Sequence, residues 1–273
     1  MKKLVLSAGA LLLLMAFKKN SIIHKPAPVT EPTCASDLKR GLLAYYPFNG
    51  NYKDASGNGL HAFSRNGAHL AADCHGEANK AAEFDGTDDY LIVPGNKKLN
   101  ADSLSISFLV MVNNADRRNV TISRINYETG ESLIFGIHES QPDDNAWNYG
   151  VTSNADGCST LYGYDPSMAC YSKQGIQPGR WYNIIATFGK GLQKLYVDGV
   201  LQSTKKRTFQ TAKKCSGGDL LIGGWWKADI VSIDGKLDEV RLYNRVLNEC
   251  EIAKLAATVS QEADQRPRRI HKR

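Results

Sequence analysis

The chain has 273 residues, 42% of them hydrophobic and 23% charged, with 24 glycines. That is the make-up of a turn-rich globular protein with ample apolar material for a core, not of a disordered or fibrous chain. The net charge of +6 sits almost wholly in residues 1–33 and 261–273, so the near-neutral body offers no basic stripe for a phosphate backbone and nucleic-acid binding is disfavoured.

In chain order, Met1-Lys2-Lys3 and the apolar run 4–17 have the form of an export signal. We assign it to residues 1–20; the run is too short to cross a bilayer comfortably, so no membrane span is expected in the mature chain. Residues 21–40, with Pro26, Pro28 and Pro32, read as an extended linker. The body, 41–258, has an apolar period of two. Leu104, Ile106, Phe108, Val110 and Val112 alternate with Ser105 and Ser107, as a strand covering one side of a core must. A second such run is 181–188, with Trp181 assigned to the core. Segments 192–197 and 200–205 flank Asp198-Gly199, a pair that accepts the positive φ angles of a type I′ turn, which predicts a hairpin. Shorter strands are expected at 42–48, 81–84, 90–93, 120–125, 133–138, 147–152, 220–223 and 236–243. One helix follows: Asn248 caps it, Glu251 completes a capping box, and Ile252, Leu255 and Ala256 give it an apolar face. Residues 259–273 form a basic tail, expected to be disordered. These elements predict an all-β fold, a two-sheet antiparallel sandwich of jelly-roll type with a short C-terminal helix.

Six cysteines, at 34, 74, 158, 170, 215 and 250, are an even set without a Cys-x-x-Cys pair. With an export signal this points to disulfides and away from zinc. Fifteen connectivities are open; Cys158 and Cys170 bracket one excursion and make the natural local bridge.

Several motifs in order resemble the laminin G-like jelly rolls of the concanavalin A-like lectin and glucanase superfamily. They are Gly41-Leu42-Leu43-Ala44-Tyr45-Tyr46-Pro47-Phe48-Asn49-Gly50-Asn51, Asp54-Ala55-Ser56-Gly57-Asn58-Gly59, Ala82-Glu83-Phe84-Asp85-Gly86, Leu195-Tyr196-Val197-Asp198-Gly199 and Lys236-Leu237-Asp238-Glu239-Val240-Arg241-Leu242-Tyr243. The resemblance covers roughly residues 41–256. It implies that the first and last strands lie side by side, which sets Cys34 beside Cys250 and leaves Cys74 for Cys215. It also implies a structural calcium, with Asp54, Asn58 and Asp238 as ligands, since calcium takes carboxylate, amide and carbonyl oxygens in irregular geometry. Asp85, Asp88 and Asp89 form a competing cluster.

Related jelly rolls include glycoside hydrolases, which need two carboxylates about one bond. Asp238 and Glu239 are adjacent, hence expected on opposite faces, and no Glu-x-Asp-x-x-Glu pattern occurs, so a non-catalytic module is expected. Sugars stack on aromatic rings while Asn, Asp and Gln take their hydroxyls. Trp147, Tyr149, Tyr162, Tyr164, Trp225 and Trp226 are the candidate ligand residues. The resulting expectation is an exported carbohydrate-binding or adhesion module whose partner is a glycan or a cell-surface protein. Its alternatives are a structural protein-interaction domain and, third, a glycoside hydrolase with unfamiliar acids.

Overall fold

The computed structural model describes residues 35–126, 132–139, 145–152, 169–212, 214–215, 217–225 and 231–263. The elements in order are β1 (Leu42–Tyr46), β2 (Phe63–Arg65), β3 (His69–Ala71), β4 (Ala81–Asp85), β5 (Tyr90–Val93) and a 3-10 turn at Lys97–Leu99. There follow β6 (Leu104–Val112), β7 (Val120–Asn126), β8 (Ser132–Glu139), β9 (Trp147–Val151) and β10 (Cys170–Tyr171). The last are β11 (Trp181–Gly189), β12 (Leu192–Val197), β13 (Val200–Lys206), β14 (Gly218–Ile222), β15 (Asp234–Tyr243) and α1 (Glu249–Ala263).

They form two antiparallel sheets. One has eight strands in the order β13-β12-β11-β6-β15-β4-β3, with β1 also on β15; the other runs β10-β9-β8-β7-β14-β5-β2. The expected sandwich is therefore the architecture found. Alternation decides what it encloses. Ile106, Phe108 and Val110 of β6 and Tyr182, Ile184 and Phe188 of β11 face Ile122, Phe135, Tyr149, Val151, Leu220 and Ile222 of the opposite sheet. Each such side chain contributes about 1.5–3 kcal/mol through the water it no longer orders. Polar side chains also point inward, Gln193 of β12 among them, donating to the Tyr149 carbonyl at 2.6 Å. Arg124 of β7 is buried, and its guanidinium donates to the carbonyls of Leu99 (2.8 Å), Cys215 and Gly218 (both 3.2 Å) and to Asn100 Oδ1 (2.8 Å). Burial lowers its pKa to about 10, so it stays charged while tying two loops across the end of the sandwich.

Three local predictions hold in atomic detail. Asp198 and Gly199 take φ angles of 50° and 77°, the two positive values that let Val197 pair with Val200. At the helix start Asn248 Oδ1 accepts from the Glu251 amide and a Glu251 carboxylate oxygen accepts from the Asn248 amide, both at 2.9 Å, a complete capping box. The first and last strands pair antiparallel, Tyr45 with Arg241 and Tyr46 with Val240.

β15 changes partners midway. Residues 234–237 pair with β4, and 240–243 with β1. Between them its register to β6 slips between Asp238 and Arg241, and Glu239 sits at φ 54°. This is a β-bulge, which re-aims side chains where a strand must serve two neighbours.

Candidate functional site

The bulge builds a cleft. On the outer face of the eight-stranded sheet, a cavity of about 290 Å³ is lined by Pro47, Asn49, Asp73, Cys74, His75, Glu77, Lys80, Leu109, Asp238 and Glu239. Asp238 and Glu239 thus open into one cleft; the expectation that neighbouring acids point to opposite faces fails because the bulge cancels the alternation. The two differ in their ties. Glu239 accepts the Tyr45 hydroxyl at 2.8 and 3.0 Å and pairs with Arg241, whose guanidinium lies 4.1 Å over the Tyr45 ring. Asp238 accepts only the Glu239 amide, at 2.7 Å on Oδ1, and Oδ2 has no hydrogen-bond donor among the described residues. Burial, with the Glu239 charge adding to it, pushes the Asp238 pKa up to about 8.

The other two expected calcium ligands are committed elsewhere. Asp54 takes amides on both oxygens: Tyr45 (3.0 Å) and Ser56 (2.8 Å) on Oδ1, Leu60 (3.0 Å) on Oδ2. Burial alone would raise its pKa, but these bonds, from Ser56 first, outweigh it and hold the carboxyl below its ordinary value. Asn58 donates its amide to the carbonyls of Leu42 and Leu43. Both residues hold the loop against β1, as Asp and Asn do in tight turns, and neither lines the Asp238 cleft. The resemblance therefore places its calcium on residues that do not share a site.

The competing cluster does come together: Asp85, Asp88 and Asp89 bring their carboxylates within 4.8 Å of one another. Yet Asp89 accepts the amides of Gly67 and Asp85 and Asp85 accepts that of Thr87, the bonds of a turn.

The aromatic expectations divide. Trp147 and Tyr149 are 1% and 0% exposed, and Trp147 meets Tyr182 edge-on at 6.2 Å inside the sandwich. They are core residues with no face to offer a ligand. Trp181, expected in the core, stands instead on the outer side of β11, only half-buried, because Tyr182, Ile184, Ala186 and Phe188 take the inward positions. Tyr162, Tyr164 and Trp226 lie outside the described residues. Trp225 is half-buried on the outer face of the seven-stranded sheet, packed on Tyr90, Ile125, Leu221 and Ile92 with Arg118 5.1 Å over its ring. Ser123 brings it there by donating to the carbonyls of Gly224 (2.8 Å) and Trp225 (3.3 Å). Across this face runs one cross-strand row, Phe63, Ile92, Leu221, Ser123, Gly136 and Gly150. It starts at a phenylalanine 50% exposed, passes the buried Leu221 and Ser123 and ends in two glycines, which add no side chain to the sheet. Phe63 was not anticipated, because β2 is only three residues long and carries no periodic signal.

The cysteines correct two expected bridges. Cys170 is a buried thiol whose sulfur lies 3.4 Å from the Gln193 carbonyl, so it does not bridge to Cys158. Cys74 lines the outer cleft while Cys215 is buried at the end of the sandwich beside Arg124, and they are not joined. Cys215 and Cys250 are each disulfide-bonded; Cys34 and Cys158 lie outside the described residues.

Comparison with known proteins places this geometry. No curated protein sequence matches the chain. Among solved structures, domain 4 of AbnA, a GH43 extracellular arabinanase from Geobacillus stearothermophilus solved with arabinotriose, is similar at TM-score 0.55 and 22% identity. That match covers 79% of this chain and 98% of that one. The binding domain of Paraclostridial Mosquitocidal Protein 1 gives TM-score 0.61 and 16% identity, over 81% of this chain and 53% of that one. Trypanosoma rangeli sialidase gives 0.57 and 16%, over 81% of this chain but a third (33%) of the enzyme. At these identities the likeness is one of fold. A laminin G-type family model described as the concanavalin A-like lectin/glucanases superfamily matches residues 85–253, and the chain therefore belongs to that superfamily.

Proposed function

We propose that this protein is an exported, non-catalytic carbohydrate-binding module whose glycan lies on the outer face of the seven-stranded sheet. The observation that carries the reading is Trp225, half-buried on that face with Arg118 stacked on it and the exposed Phe63 at the face's edge. An aromatic ring left partly open to water offers a stacking surface to the C–H face of a sugar. The domain of a GH43 arabinanase solved with arabinotriose supports the ligand class. Against hydrolysis, Glu239 is held by Tyr45 and Arg241, so the cleft pairs a raised-pKa acid with a carboxylate already engaged. Export fits the disulfide-bonded state of Cys215 and Cys250. No described helix is long and apolar enough to cross a membrane.

Calcium belongs to the same proposal. Asp238, with Asp73 beside it, would hold the ion in the outer cleft, and the ion would supply the positive charge that a buried carboxylate lacks.

The test is a polysaccharide-binding panel with the full chain, alongside an assay for released reducing sugar. Binding that weakens at least tenfold in a folded Trp225→Ala variant, with no sugar released, is the expected result. Release of reducing sugar that vanishes in Asp238→Asn would replace the module with a hydrolase.

A further inference from the structure

The outer face of the eight-stranded sheet carries a strip not used by the proposal above. Five strands give one residue each to a single row: Trp181 opposes Met111, Met111 opposes Lys236, Lys236 opposes Glu83, and Glu83 opposes His69. The row is open from end to end, with four half-buried members and an exposed His69. On one side the neighbouring outer-face residues Asn183, Leu109 and Asp238 are buried. On the other, a second open row runs through Asn113, Asp234 and Asp85, in which the Asn113 amide donates to Asp234 at 3.0 Å.

An indole left half in water on a flat sheet keeps apolar surface that packing elsewhere would have covered. Beside it, Glu83 stands 3.7 Å from the Lys236 ammonium and 3.6 Å from the His69 ring. The strip thus offers one stacking ring followed by a ladder of both charge signs, able to give and take hydroxyl hydrogen bonds without a net charge for an anionic sugar. Five strands at about 4.8 Å spacing make the row roughly 19 Å long, the reach of a chain rather than of one sugar ring.

We infer that this strip is a second glycan-binding face, for a neutral polysaccharide lying across the strands. One molecule then holds two chains, one on each outer face of the sandwich. The inference rests on the reading of the Trp225 face as the first such site.

Two measurements on the full chain separate the two claims: affinity electrophoresis in gels cast with β-glucan, xylan or arabinan, and turbidity of the protein mixed with the same polysaccharides. The wild type should be retarded and should cross-link one of them into a turbid suspension. Trp181→Ala and Trp225→Ala should each keep part of the retardation and lose at least nine-tenths of the turbidity, and the double variant should lose both. Glu83→Gln, which keeps the size of this half-buried side chain, should weaken turbidity in the same direction. Turbidity unchanged by both Trp181→Ala and Glu83→Gln overturns the second face and leaves the first. Retardation lost in Trp181→Ala but untouched by Trp225→Ala upholds the strip and overturns the Trp225 reading. No retardation of the wild type in any gel overturns both.

Discussion

Asp54 and Asp238 lie on neighbouring parts of the fold, are 7% and 5% exposed, and behave in opposite ways. Asp54 receives three amides and its pKa falls; Asp238 receives one and its pKa rises to about 8. Asp238 is the more deeply packed and has the Glu239 charge beside it, so burial and a like charge outweigh its single amide, whereas at Asp54 the amides outweigh burial. A carboxylate saturated by backbone amides is a piece of the fold. One left short of donors keeps its proton at neutral pH, and a cation is the partner that would displace that proton.

The largest expected effect is on the saturated member. Asp54→Ala leaves three backbone donors without their acceptor, and should cost about 3 kcal/mol in urea unfolding. A loss under about 1 kcal/mol would mean that the loop does not depend on this carboxylate. Next comes Asp238→Asn. Calcium at a hundredfold over its dissociation constant should stabilise the wild type by about 2.7 kcal/mol and the variant not at all, while in chelator the variant should melt no lower than the wild type. A calcium shift that survives the substitution would move the ion elsewhere.

Acid offers a third comparison. The folded Asp54 carboxyl lies below its unfolded value, about 3.9, so its contribution is fully present above that pH and is lost as pH falls through the folded pKa. Asp54→Asn should flatten the acid limb of the stability curve, read from melts at stepped pH. The smallest effect is expected at Glu239→Gln. Its ion pair with Arg241 is partly exposed, and the variant should lose under about 1 kcal/mol while the cleft keeps its shape.

The contrast also shows where sequence reasoning reaches and where it stops. Alternation in residues 104–112, the Asp198-Gly199 turn and the Asn248/Glu251 cap were all legible, because each is a local pattern with one low-energy solution. β2, β3 and β10, at two or three residues each, are too short to show a period and exist only because neighbours pair with them. The bulge was invisible for a related reason: Glu239 adopts a positive φ that only the change of partners along β15 explains. For the aromatics the signal was present but read by residue type. Trp147, Tyr149 and Val151 alternate with Asn148 and Gly150, a core-facing pattern, and the apolar even positions of β11 put Trp181 outside. Nothing local announces a buried Arg124; its four acceptors come from two loops distant in the chain.

The Cys170 thiol gives the molecule a built-in clock. Its strand is a two-residue edge, and the residue is 2% exposed, with burial holding the thiol in its protonated, unreactive form. A thiol reagent can reach it only when that edge lifts. The rate of its labelling therefore times the opening of β10, and any change in that rate on adding glycan measures how tightly a ligand clamps the edge shut.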